Sequence, residues 1–169
     1  MNLIHIVGRK NNGKTKLIVE LIREMQHRGF RVGAIKHSGH AHELDTPGKD
    51  SYHHRMAGAE PVAVIARDQS AVYLPRRENV HPMDVIAPLF AETDLVLVEG
   101  FIEGPGKKIE VWRKEMGSSP IFYERNDIMA VITDDSIHTA LPIWPRNDVP
   151  KIIAGICRLA ALEVSGKHR

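Results

Sequence analysis

Residues 8 to 15 read "GRKNNGKT", the complete G-x-x-x-x-G-K-[ST] pattern of a phosphate-binding loop, the Walker A motif of P-loop proteins. A phosphate chain is a cluster of negative oxygens. Gly8 and Gly13 let the backbone bend sharply and come close to it. Asn11, Asn12, Gly13, Lys14, Thr15 and Lys16 then place unpaired N–H groups at a helix start, where the helix dipole adds partial positive charge. The Lys14 ammonium suits the β- and γ-phosphates. The Thr15 hydroxyl suits Mg²⁺, a hard cation that prefers oxygen ligands.

Such a loop needs an acid at the end of a neighbouring strand to orient the magnesium ion. "DLVLVEG" (94–100) offers Asp94 and Glu99. Five residues of extended chain separate them by roughly 16 Å at ~3.3 Å per residue, so only one reaches the site. Ligands of open α/β sheets sit at the carboxyl ends of the strands. That selects Glu99 and leaves Asp94 as a surface residue at the strand start.

Five of the ten histidines fall between residues 37 and 54: His37, His40, His42, His53 and His54. Imidazole is a common metal ligand. The spacing here matches no familiar zinc pattern, and no cysteine assists. Position suggests another use. The segment follows the second expected strand, so it emerges on the edge of the sheet that carries the phosphate loop. Lys36, Asp45, Lys49 and Asp50 are then placed to meet phosphate, magnesium or a second ligand.

The elements that must hold these residues are legible as hydrophobic periods. Leu3, Ile4, Ile6 and Val7 form a buried-strand run before the loop. Leu17, Ile18, Leu21, Ile22 and Met25 recur at helical spacing after it, and the helix is expected to run to about Arg28 and stop at Gly29. Strands are expected over 31–37, 61–66, 70–74, 94–100, 108–113 and 128–133, with a short one at "LPIW". The pair 61–66 and 70–74 reads as a hairpin. Short helices fit 49–58 and "HPMDVIAPLFA", where Pro88 ends or kinks the helix. "NDVPKIIAGICRLAALEV" is a closing amphipathic helix with Asn147 or Asp148 as N-cap. Strands alternating with helices predict an α/β fold of the phosphate-loop NTPase type. Its sheet is mainly parallel, with helices on both faces and a small antiparallel hairpin.

Composition narrows the partners. The chain has 169 residues, 43% hydrophobic and 26% charged, which predicts one domain over 1–169 with a full core. The net charge is +2, with basic residues interspersed among acids, so no nucleic-acid stripe is present. Cys157 lies on an apolar helical face and reads as core. The first strand begins at once and no apolar run approaches membrane-spanning length, so a cytoplasmic protein without a membrane partner is expected.

Four stretches in order carry a resemblance: "GRKNNGKT" (8–15), "IKH" with "DTPGKDSY" (35–37 and 45–52), "RMAGA" (55–59) and "DLVLVEGF" (94–101). It extends loosely to "AVITDD" (130–135) and "RNDV" (146–149). The chain resembles the MobB family, the molybdopterin-guanine dinucleotide biosynthesis protein B family. The resemblance implies GTP binding with weak hydrolysis, a homodimer, and an accessory role beside a MobA-type nucleotidyltransferase as GMP is attached to molybdopterin. It also implies that Asn11 to Lys16 hold phosphates, with Lys14 and Glu99 central to hydrolysis. Thr15 and Glu99, with Asp45 as a further candidate, would serve Mg²⁺. The position directly after the first glycine is Arg9, not lysine, so no lysine is assigned to act across a dimer.

The alternative is a small-molecule kinase built on the same loop. It needs an acceptor site and an arginine-bearing lid, for which "YLPRRENVHP" and "WRKEMGSSPIFYER" are the available segments. No N-K-x-D sequence identifies the base. Asp134, Asp135 and Asp148 are the candidates to read guanine, and Asp148 is equally a plain N-cap. The exposed edge of the 61–74 hairpin is the candidate dimer contact.

Overall fold

Leu3–Val7 forms β1, and its position explains the rest of the sheet. In a computed structural model that describes residues 1–163, β1 is flanked on both sides by parallel strands, β5 (Leu95–Glu99) and β6 (Lys107–Val111). With β2 (Val32–Lys36), β7 (Ile128–Ile132) and β8 (Ile143–Trp144), they make a six-stranded parallel sheet of order β2-β5-β1-β6-β7-β8. β5 reads as a continuous apolar run because both of its faces are covered: Leu95, Val96, Leu97 and Val98 are all fully buried.

Helix α1 (Lys14–His27) and helix α4 (Val149–Ala160) pack on one face. Leu17, Leu21 and Met25 of α1 and Ile152, Ile153 and Ile156 of α4 meet Ile4, Ile6, Leu95, Leu97, Ile109 and Ile132. Cys157 is buried in the same cluster, as its helical position predicted. Gly155 lets α4 lie against Trp144, since a Cβ there would overlap the indole ring. The opposite face carries a short 3₁₀ helix, Ile121–Tyr123, and buries three polar side chains: His5, Lys108 and Glu110. Each has partners, as burial demands. Lys108 lies 3.0 Å from an Asp127 carboxylate oxygen, and the Glu110 carboxylate accepts from the N–H groups of Ile121 (2.7 Å) and Phe122 (3.0 Å). Burial pushes the Glu110 carboxyl above its ordinary pKa, although the two N–H bonds pull the other way.

The contacts divide the chain into two compact units. The sheet and its helices belong to one, made of Met1–Gly39 and the chain from Leu89 onward. His40–Pro88 is the other. It holds α2 (Asp50–Met56), the antiparallel hairpin of β3 (Val62–Ile65) and β4 (Ser70–Tyr73), and α3 (Pro82–Ile86). Pro88 marks the change from α3 to a 3₁₀ turn over Ala87–Phe90, as its missing N–H requires. Composition gives no sign of this division, because both units are equally mixed in polarity. Among the described residues no helix is long and apolar enough to cross a membrane.

Candidate functional site

Parallel register brings the chemistry together. Val7 ends β1, Glu99 ends β5 opposite Ile6, and Lys36 ends β2 opposite Glu99. All three strands therefore deliver their last residues to one edge, the edge where α1 begins. The loop between β1 and α1 needs two unusual backbone positions. Gly8 has φ 145° and lies so close to β6 that a Cβ would run into the Val111 carbonyl oxygen. Gly13 has φ 84° with open space around it, so a left-handed conformation, not crowding, calls for glycine there. Asn11 also takes a positive φ, 67°, a conformation that asparagine tolerates better than most residues.

Asn12 is the strut of the loop. Its side chain is buried; its amide donates to the Arg9 carbonyl at 3.1 Å and its Oδ1 accepts from the Arg113 N–H at 2.8 Å. Sequence reasoning placed Asn12 among the phosphate ligands and missed this role, because its partner lies 101 residues away. Lys14 Nζ donates to the carbonyls of Gly8 (2.8 Å) and Arg9 (2.9 Å), so the ammonium is folded over the loop. Burial pulls the Lys14 ammonium below its ordinary pKa; Glu99 opposes the shift and Lys36 adds to it.

The Thr15 hydroxyl donates to Glu99 Oε1 at 2.6 Å, and Lys36 Nζ lies 3.3 Å from the same oxygen. Around these groups is a cleft of about 360 Å³ lined by Lys10, Asn11, Gly13, Lys14, Thr15, Lys16 and Glu99. Three cations and the N-terminus of α1 face one carboxylate there. The net field favours a polyanion, with a hard-oxygen pair at its rim. A cleft of similar size in the His40–Pro88 unit is lined by Pro61, Leu74, Val80, Pro82 and Ile86 and is mainly apolar.

The turn after Glu99 carries a conformation that the sequence did not announce. Phe101 has φ 56°, uncommon for a bulky residue and costly of itself. Its ring stacks on His37 at 4.2 Å with 7° between planes, and His5 meets its edge at 6.0 Å. Asp94 sits at the other end of β5, where its carboxylate accepts from the Arg31 N–H at 2.7 Å. That is the strand-start role expected of it.

The remaining candidates fall elsewhere. Asp45 belongs to the His40–Pro88 unit and is engaged within it: Oδ1 accepts from the Thr46 N–H (2.8 Å) and the Ser51 hydroxyl (3.1 Å), while Oδ2 lies 3.8 Å from Arg55 Nε. Asp148 caps α4, accepting from the Lys151 N–H at 3.0 Å. Asp135 accepts from the Lys114 N–H (2.8 Å) and Asp134 from the Arg146 N–H (2.7 Å). Among the described residues no group of three His, Cys, Asp or Glu side chains is placed to hold a metal ion.

Comparison with known proteins agrees with this geometry. Residues 3–134 match the family model "MobB: Molybdopterin guanine dinucleotide synthesis protein B". The chain is 35% identical over 152 residues to a molybdopterin-guanine dinucleotide biosynthesis adapter protein of Haemophilus influenzae, covering 89% of this chain and 84% of that one. It is 32% identical to the protein of the same description from Escherichia coli, covering 87% and 86%. The crystal structure of Bacillus subtilis MobB superposes with a TM-score of 0.72 at 26% identity, covering 94% of this chain and 98% of that one. A phosphate loop, a strand-end glutamate and a parallel sheet thus lie within a match that spans most of the sequence: the chain belongs to the MobB family.

Proposed function

We propose that the protein binds GTP with Mg²⁺ at the loop of residues 8–16 and acts as an accessory factor in forming molybdopterin-guanine dinucleotide. It hydrolyses GTP slowly on its own. The observation that carries the nucleotide reading is the meeting of Lys14, Thr15 and Glu99 at the carboxyl ends of the central strands. The relatives' description as adapter proteins carries the pathway reading and favours it over a kinase.

The residues present fit magnesium. Thr15 Oγ1 and Glu99 Oε1 are hard oxygens 2.6 Å apart, beside the phosphate cleft, and they would hold the ion. When bound, Mg²⁺ neutralises charge on the phosphate oxygens and orients them. The chain's own work is to hold the triphosphate. Loop N–H groups and Lys14 cradle it, and for this Lys14 must exchange the Gly8 and Arg9 carbonyls for phosphate oxygen. Glu99 carries the acid role in preference to Asp45, which belongs to the His40–Pro88 unit and whose Oδ1 is engaged there by the Thr46 N–H and the Ser51 hydroxyl.

The proposal includes a homodimer working in the cytoplasm beside a MobA-type nucleotidyltransferase, within reach of molybdopterin. The hairpin supports a protein contact, since Val64, Ile65, Val72 and Leu74 are all exposed on it. The test is titration of GTP against ATP with Mg²⁺, followed by phosphate release with and without the nucleotidyltransferase. Equal affinity for both nucleotides, with γ-phosphate passing to an acceptor other than water, would restore the kinase.

Glu99→Gln separates the metal role from the phosphate role. The amide keeps the shape and still accepts from Thr15, but it removes the charge. The Mg²⁺ midpoint for GTP binding should rise about tenfold or more, the worth of one charge-assisted contact, while metal-free binding changes little. An unchanged Mg²⁺ titration moves the acid to another residue.

A further inference from the structure

A second cleft, of about 190 Å³, opens on the other side of Gly13 and Lys16 from the β5 edge. Asn12, Gly13, Lys16, Arg113, Asp134 and Asn147 are among its walls. Gly13 and Lys16 line both clefts, so the two adjoin at the start of α1. Together they fall within the ~300–1,000 Å³ usual for a cofactor-sized ligand. A nucleotide laid with its phosphates over the loop must send its base somewhere, and this cleft adjoins the phosphate site directly.

The three aspartates after β7 and before α4 differ in where they stand. Asp148 accepts from the Lys151 N–H and Asp135 from the Lys114 N–H, each with one oxygen. Neither lines the cleft. Asp134 does, and it is exposed to it. Its Oδ1 accepts from the Arg146 N–H at 2.7 Å, which leaves Oδ2 out of that bond. The carboxylate is therefore held in place by one oxygen and presented by the other. Its support is itself braced: the Arg146 guanidinium bonds Glu20 of α1 at 2.8 Å, and the Thr133 N–H bonds the Trp144 carbonyl at 3.0 Å. That is the arrangement of a recognition group on a rigid mount.

We infer that this cleft is the nucleobase subsite and that Asp134 selects guanine, with Asn147 and Arg113 as its walls. The inference rests on the phosphate-loop reading above and adds the residue that sets base specificity. Guanine presents an N1–H and an N2 amino group side by side, and a carboxylate accepts from both. Adenine lacks a donor at N1 and turns a lone pair towards the carboxylate. Xanthine keeps N1–H but carries an oxygen at C2, which repels a carboxylate and accepts from an amide.

Asp134→Asn is the informative change. Its side-chain oxygen still accepts from the Arg146 N–H, so the mount survives, and its NH₂ group faces the base. GTP, XTP and ATP are titrated with Mg²⁺ into parent and variant. GTP affinity should fall about tenfold or more and XTP affinity rise by a similar factor, while ATP affinity holds or rises, since the adenine N1 lone pair then meets a donor. A purely structural role for Asp134 would lower all three together. Inosine triphosphate tests the parent without any mutation: lacking only the N2 amino group, it should bind about tenfold more weakly than GTP. Equal binding of the guanine and inosine nucleotides, or a variant that keeps the parent's GTP-to-XTP ratio, overturns the base assignment alone. A parent that binds none of the triphosphates overturns the phosphate-loop reading and this inference with it.

Discussion

Lys14→Ala should bind GTP about a hundredfold more weakly than the parent, or worse, and should melt within a few degrees of it. The ammonium is held over the loop by two backbone carbonyls, at 2.8 and 2.9 Å. Replacing those carbonyls with phosphate oxygens converts neutral-acceptor bonds into fully charge-assisted ones, worth ~1.5–3 kcal/mol each. Two such bonds amount to about two decades or more of affinity. Stability should barely respond. The Lys14 bond to Arg9 is exposed and that to Gly8 only partly buried, so water takes the place of the ammonium, and alanine is the best helix former for the first turn of α1. Calorimetric titration and a thermal melt on the same sample decide it. GTP binding at parental strength would remove the loop from the site.

Gly8→Ala should produce the opposite pattern, a protein damaged in folding as well as in binding. Two separate penalties meet at this position. The backbone holds φ 145°, which costs a residue with a Cβ ~1–3 kcal/mol. The added methyl also meets the Val111 carbonyl oxygen, a main-chain atom of a buried strand that cannot swing aside, and overpacking of that kind costs a further ~1–3 kcal/mol. A total of about 2–6 kcal/mol is a large share of the stability of a domain this size. Chemical denaturation should show the loss directly, and GTP binding should fall with it because β1 and the loop shift together. A variant as stable as the parent would mean that β6 yields at Val111.

Much of this was readable from residue types, and the reasons differ from element to element. β1 and β5 were plain because strands buried on both faces are written as unbroken apolar runs. α1 was plain because its apolar period is clean and Gly29 follows it; the helix ends at His27, a residue before the expected stop. Glu99 followed from the length of a strand and the rule that ligands sit at carboxyl ends. What escaped depended on distant partners. Asn12 looks like a loop residue until the Arg113 N–H, far along the chain, is seen to need its oxygen. The three aspartates could not be ranked by type, because only the fold brings Asp134, and not Asp135 or Asp148, to the wall of the cleft beside Gly13. The closing helix stops at Ala160, short of its periodic pattern, as Ala161 turns to φ 53°. The last expected helical residue, 164, lies outside the described residues.

The central place of β1 has a consequence in time. Leu3–Val7 leaves the ribosome well before its two neighbours, which begin only at Leu95 and Lys107. Until then this strand has no sheet to join, and the loop that follows it has no wall of β6 to close against. Contacts of such long sequence separation form late and expose apolar chain meanwhile. A nascent chain therefore sets the geometry of residues 8–16 in one late step, when β5 and β6 arrive on either side of β1. A chain ending at Asp94 should leave the amides of residues 3–7 exchanging freely with solvent, whereas the full chain protects them.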